Sequence, residues 1–137
     1  MKKGKQKKIR FRSRLEEQIA DQLIELDQAW AYEGETFPYI IPKSLHTYCP
    51  DFVIDTSKGN LYIECKGKHR WGGLDKKTRD KMIYVRDQNE GLDIRFIFDK
   101  KNNRIGKSGR SKTWEKWCEE NNFLYAINHI PREWLDE

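Results

Sequence analysis

The sequence predicts an α/β or α+β fold, a sheet covered by helices. Short runs rich in β-branched and aromatic residues, bounded by turn residues, alternate with segments of helical periodicity. The length, 137 residues, suits one domain with a modest core. Hydrophobic and charged residues each make up 36% of the chain, so that core must sit under a heavily charged surface. No window approaches the roughly 18 apolar residues of a membrane span. The opening "MKKGKQKKIRFRSR" is basic without the apolar stretch of a signal peptide, and the expected compartment is the cytoplasm.

Residues 1–12 read as a basic, flexible arm and 13–137 as the domain. The net charge of +5 is unevenly spread: residues 1–14 hold eight Lys/Arg and no acid, against 19 basic and 22 acidic residues in the remainder. Such an arm, with Lys7, Lys8, Arg10, Arg12 and Arg14, is suited to neutralising phosphates, although it would equally serve as a solubilising tail. "SRLEEQIADQLIELDQAW" reads as a helix, with Leu15, Ile19, Leu23 and Leu26 forming one stripe. Ser13 and Glu16 fit a capping box, S-x-x-E. Glu16 falls beside Leu23 at the edge of the buried stripe, whereas Glu17 points to solvent.

"FPYIIPKSLHTYCP" is extended and edge-like because of Pro38, Pro42 and Pro50. Its exposed Tyr39, Ile40 and Ile41 call for cover from another chain or sheet. Two apolar runs then flank the turn "TSKG", Thr56 to Gly59. "GGLDKKTRDKMIYVRDQNEG" reads as a helix with Leu74, Met82, Ile83 and Val85 inward and Gly91 as its C-cap. "LDIRFIFD" is a strand, "KKNNRIGKSGRSK" a polar basic loop, "TWEKWCEENN" a short helix with Trp114, Trp117 and Cys118 on one face, "FLYAI" a strand, and "IPREWL" a closing turn. The three cysteines, Cys49, Cys65 and Cys118, form no C-x-x-C pair and have no histidine at zinc spacing. Reduced, partly buried thiols are the expectation.

The hairpin "PDFVIDTSKGNLYIECKGK" carries the chemistry. With the turn at Thr56–Gly59, Asp55 meets Asn60, Ile54 meets Leu61, Val53 meets Tyr62, Phe52 meets Ile63, and Asp51 lands opposite Glu64. Alternation then puts Phe52, Ile54, Leu61, Ile63 and Cys65 on one face, and Asp51, Glu64 and Lys66 on the other. Opposed carboxylates about 5 Å apart repel. A divalent cation between them relieves that repulsion, and oxygen ligands suit Mg²⁺ or Mn²⁺. Lys66 would then orient water or stabilise charge on phosphorus. A solvated sheet face with Lys66 offsetting the acids is the plainer alternative. The spacing has the form P-D…(D/E)-x-K, the signature of the restriction-endonuclease-like nuclease fold.

Six blocks, "FRSRLEEQIADQL", "PYIIPKSLHTYCPDF", "YIECKG", "IYVRDQNEGLDIRFIF", "WCEENNF" and "IPREWL", run in register from Phe11 to Leu135. On them the chain resembles the bacteriophage endonuclease I family of junction-resolving nucleases. The resemblance implies a restriction-endonuclease-like mixed sheet flanked by helices, assembled as a domain-swapped homodimer whose bridge is about residues 37–44. It implies composite active sites in which Glu16 comes from one chain and Asp51, Glu64 and Lys66 from the other. Asp51, Glu64, the Cys65 backbone carbonyl and Glu16 would hold two Mg²⁺ ions, with Mn²⁺ able to substitute. The substrate implied is branched DNA, chiefly four-way junctions cut by paired nicks. A further acid that family members can carry falls here on Ala31, with Glu33 and Glu35 nearby.

Phosphate contacts are expected from Lys68, His69, Arg70, Lys76, Lys77, Arg79, Lys81, Arg104, Lys107, Arg110 and Lys112. These carry no sequence information, so DNA shape would set specificity. Trp71 would stack on a base or pack in the core. A mismatch or restriction-type nuclease of the same fold, and a non-catalytic nucleic-acid-binding protein, are the competing functions.

Overall fold

A computed structural model describes residues 9–41, 44–68 and 73–135. Helix α1 (Arg14–Glu25) opens on Ser13, whose side chain accepts from the Glu16 N–H at 3.1 Å. The capping box is half made, because the Glu16 carboxylate accepts from the Arg12 N–H, at 2.8 Å. The helix stops before the expected Trp30. Leu26 caps it, Asp27 takes φ 52°, and the Gln28 N–H returns to Leu23 O. Trp30–Tyr32 forms instead a short strand, β1, which periodicity did not disclose.

β2 (Phe37–Ile41) and β3 (Ser44–Tyr48) pair antiparallel within the chain, Tyr39 with His46 and Ile40 with Leu45. Of the three residues expected to need cover, Tyr39 is buried and Ile41 packs against the core, and only Ile40 stands half exposed. The cover comes from α2 (Lys76–Gln88). The Gln88 side-chain amide brackets Ile40, accepting from its N–H at 2.6 Å and donating to its carbonyl at 2.9 Å, as a neighbouring strand would. Asp75 caps α2 through the Thr78 N–H, and its C-cap is Asn89. Gly91, expected there, lies two residues on at φ 77°.

The main sheet runs β1–β4–β5–β6–β7, with β4 Phe52–Thr56, β5 Gly59–Lys66, β6 Ile94–Phe98 and β7 Leu124–Ile127. β1, β4 and β5 pair antiparallel, whereas β5, β6 and β7 are parallel, joined by α2 and by α3 (Trp114–Glu120). The β4–β5 register is the predicted one, from Thr56 with Gly59 to Phe52 with Ile63. Both faces of the hairpin are covered. Phe52, Ile54, Leu61, Ile63 and Cys65 pack with Leu15, Ile19 and Leu23 of α1. Val53, Tyr62, Phe96 and Phe98 pack with Tyr48, Met82, Val85, Trp114 and Trp117. Burying a side chain of this size is worth about 1.5–3 kcal/mol, so the two layers fix α1 and the β2–β3 hairpin on opposite sides of the sheet. The free thiols Cys65 and Cys118 are buried and Cys49 is half-buried.

Candidate active site

The site forms where β4 begins and β5 ends. Asp51 lies one residue before β4, and Glu64 and Lys66 lie two apart near the end of β5. The first turn of α1 brings Glu16 from one layer, and the last residue of β3 brings Tyr48 from the other. Glu16, Asp51, Glu64, Cys65 and Lys66 all line one open cavity of about 610 Å³. Arg12, Arg14, Lys68 and Lys81 also border it. The solvated-face alternative fails, because Glu16, Asp51 and Glu64 are each no more than 7% exposed.

Buried carboxylates need donors. Asp51 Oδ2 accepts from the Cys65 N–H at 2.8 Å. Glu64 Oε1 accepts from the Tyr48 hydroxyl at 2.6 Å, and the Lys66 ammonium lies 3.2 Å from Oε2. Glu16 Oε1 accepts from Tyr32 Oη at 2.7 Å besides the Arg12 N–H. Burial, then the Glu64 charge and the neighbouring Glu16, push the Asp51 carboxyl up to about 9. Burial alone would lower Lys66, but Glu64 and then Asp51 outweigh it and raise the ammonium above its ordinary value. Tyr48 is raised well above its ordinary value by burial and then by Glu64, so its hydroxyl stays a donor.

This donor set fits a hard divalent cation. The side-chain donors are oxygens only, and burial with the Glu64 charge pushes the Asp51 carboxyl up, a repulsion that a cation would relieve. Among the described residues no three His, Cys, Asp or Glu side chains stand together as a group that could hold a metal ion by themselves. A cation here would be completed by waters and phosphate oxygens.

The chain matches the model of the family described as Phage endonuclease I over residues 1–137. The chain belongs to the phage endonuclease I family. Its relatives include Endonuclease I of Escherichia phage T7, 35% identical over 135 residues that cover 98% of this chain and 85% of that protein. Endodeoxyribonuclease 1 of Enterobacteria phage T3 is 36% identical over 121 residues, covering 88% and 74%. As a member of that family, the chain is a nuclease.

The basic residues divide. Arg12, Arg14 and Lys68 rim the cavity. Lys76 pairs with Asp80 at 2.6 Å, and Lys112 with Glu120. Arg79 donates to Leu74 O at 2.7 Å and Arg104 to Ser111 O, so both brace the fold. Arg10, Lys77, Lys107 and Arg110 are exposed. Lys7, Lys8, His69, Arg70 and Trp71 lie outside the described residues, as does Pro42. Glu33 pairs with Arg12 at 3.2 Å, and Glu35 accepts from Tyr62 and Asn60; neither lines the cavity. The tyrosines were missed. Tyr48 stands three residues before Asp51, close enough in sequence to have been suspected, but Tyr32 sits on the unforeseen β1. Lys81, grouped with the helix cations, lies 5.4 Å from the Tyr48 ring centroid.

Proposed function

We propose that this nuclease cleaves branched DNA, chiefly four-way junctions, by paired nicks, acting as a homodimer with divalent cations. The observation that carries the reading is the meeting of three buried carboxylates and one largely buried lysine in a single cavity rimmed by cations. Asp51, Glu64, Glu16 and the Cys65 carbonyl would hold two Mg²⁺ ions, and Mn²⁺ would substitute. Those cations supply Lewis-acid polarisation of the phosphate and make water more acidic. Asp51 is kept in place by the Cys65 N–H, which donates to Oδ2, and Glu16 lies beside its carboxyl. Lys66, held beside Glu64, orients the attacking water or stabilises charge developing on the phosphate. Arg12, Arg14, Lys68 and Lys81 grip backbone phosphates around the reacting one.

Support for the dimer comes from β2–β3. Ile40 and Leu45, a cross-strand pair, are 54% and 70% exposed. A bridge at residues 37–44 would open this hairpin and remake the same pairs between two chains, covering them. Glu16 would then meet the partner's hairpin carboxylates, and two-fold symmetry would supply paired nicks. The test is strand-specific cleavage of an immobile four-way junction beside its linear duplex, with Mg²⁺ or Ca²⁺. Symmetric cuts near the branch with Mg²⁺, and little duplex cutting, are expected. Preference for a mismatch or for one duplex sequence would replace junction resolution by another nuclease specificity, and binding without cutting would overturn catalysis by these residues.

A further inference from the structure

The donors to the three carboxylates are unequal. Glu16 Oε1 has two, the Arg12 N–H at 2.8 Å and the Tyr32 hydroxyl at 2.7 Å. Glu64 Oε1 has, among the described residues, only the Tyr48 hydroxyl, at 2.6 Å. Tyr48 is 2% exposed and lies in the core layer with Tyr39, Met82 and Phe98, and the Lys81 ammonium sits over its ring. A phenol buried this deeply costs stability unless it is bonded. A short bond to a carboxylate meets that need and also fixes the carboxylate's orientation. Phenylalanine would fill the same volume, so packing alone does not account for the hydroxyl.

We propose that Tyr48 is a positioning residue for Glu64, occupying Oε1 so that Oε2 is the oxygen that exchanges Lys66 for a divalent cation. The inference rests on the cation reading above. It also links two parts of the fold. Tyr48 is the last residue of β3, β3 is paired to β2, and β2 is tied to α2 through Gln88. The seating of the β2–β3 hairpin is therefore transmitted to the site carboxylate through one hydroxyl.

Titration of the full-length protein with Mn²⁺ alone, followed by calorimetry, tests this. Tyr48→Phe keeps the ring, and donors to metal ligands typically govern affinity by 10–100-fold, so about a tenfold weakening of Mn²⁺ binding is expected. KM for junction DNA should stay near wild type, and kcat should recover as Mn²⁺ is raised. Tyr32→Phe should lose less, because Glu16 keeps the Arg12 N–H. In a Glu64→Ala background, Tyr48→Phe should add nothing further, since the acceptor of its hydroxyl is gone. Equal Mn²⁺ affinity of wild type and Tyr48→Phe, or independent and additive losses with Glu64→Ala, would overturn the role of Tyr48 alone. A wild-type protein that binds no Mn²⁺ would overturn the cation reading and this inference with it.

Discussion

The two ends of the β4–β5 hairpin carry similar residues in different surroundings. At the turn end, Asp55 pairs with Asn60 across the strands and is exposed. At the other end, four residues away on the same strand face, Asp51 is 7% exposed and its carboxyl is pushed up to about 9. The strand pair is the same and the acid is the same. What differs is the cover: the first turn of α1 closes one side of Asp51 and Tyr48 closes the other, while at the turn end the Asp55 side chain stays exposed, with only its backbone tied, the Gln28 amide donating to Asp55 O at 2.9 Å and the Asp55 N–H to Ala29 O. The setting of each acid is a property of the layers laid over the hairpin, beyond what the alternation of the hairpin itself prescribes.

The largest expected effect breaks that comparison at its centre. Asp51→Asn removes the ionisable carboxyl from the covered end and should lower cleavage by about a thousandfold, ~4 kcal/mol of lost transition-state stabilisation, while DNA binding persists. Asp55→Asn makes the same chemical change at the open end and should leave cleavage within about twofold, as exposed substitutions generally do. Rates and gel-shift affinities for both proteins check this. Similar losses in the two variants would mean that the site extends along the strand.

Linkage sharpens the comparison without substrate. The folded-state pKa of Asp51 is raised, so between pH 4 and 9 the native protein holds a proton that the unfolded chain has released. Stability from this group is fully present below the ordinary value of 3.8 and is lost as pH rises toward about 9. Lys66, raised, stays cationic throughout. Urea unfolding in EDTA should therefore show wild type losing stability relative to Asp51→Asn from pH 5 to 9. Added Mg²⁺ should reverse the loss, because an ion that binds only the native state stabilises it. A difference between the two proteins that stays flat with pH would place the excess negative charge elsewhere.

Legibility in the sequence follows the same division. Local, periodic features were readable: the Thr56–Gly59 turn, the full β4–β5 register, the split of hairpin residues between two faces, and the stripe of α1. The acids Asp51 and Glu64 and the lysine Lys66 follow from register alone, and Glu16 came from the family resemblance. Long-range features were not readable. β1 has three residues, too few for a period to show, and it exists because Trp30, Ala31 and Tyr32 pair with Ile54, Val53 and Phe52. The bracketing of Ile40 depends on a side-chain amide 48 residues away, that of Gln88, mimicking a strand. Tyr48 reads as a strand residue, and its bond to Glu64 becomes visible only when β3 is laid against β5.

The smallest expected effect concerns how the cover is fastened. Ser13 lines the cavity and caps α1 by accepting from the Glu16 N–H at 3.1 Å. Ser13→Ala should cost about 1 kcal/mol of stability, the usual loss on removing a cap, seen as a lower urea midpoint. Cleavage should change by less than about threefold, because that is under ~0.7 kcal/mol and the Glu16 carboxylate keeps the Arg12 N–H and the Tyr32 hydroxyl. The cap and the carboxylate thus separate: one end of Glu16 fastens the helix, and the other end faces the chemistry. A variant that kept its stability but lost cleavage a hundredfold would reverse that assignment and make the Ser13 hydroxyl part of the reacting site, which would place the boundary between cover and chemistry one turn further out than Glu16.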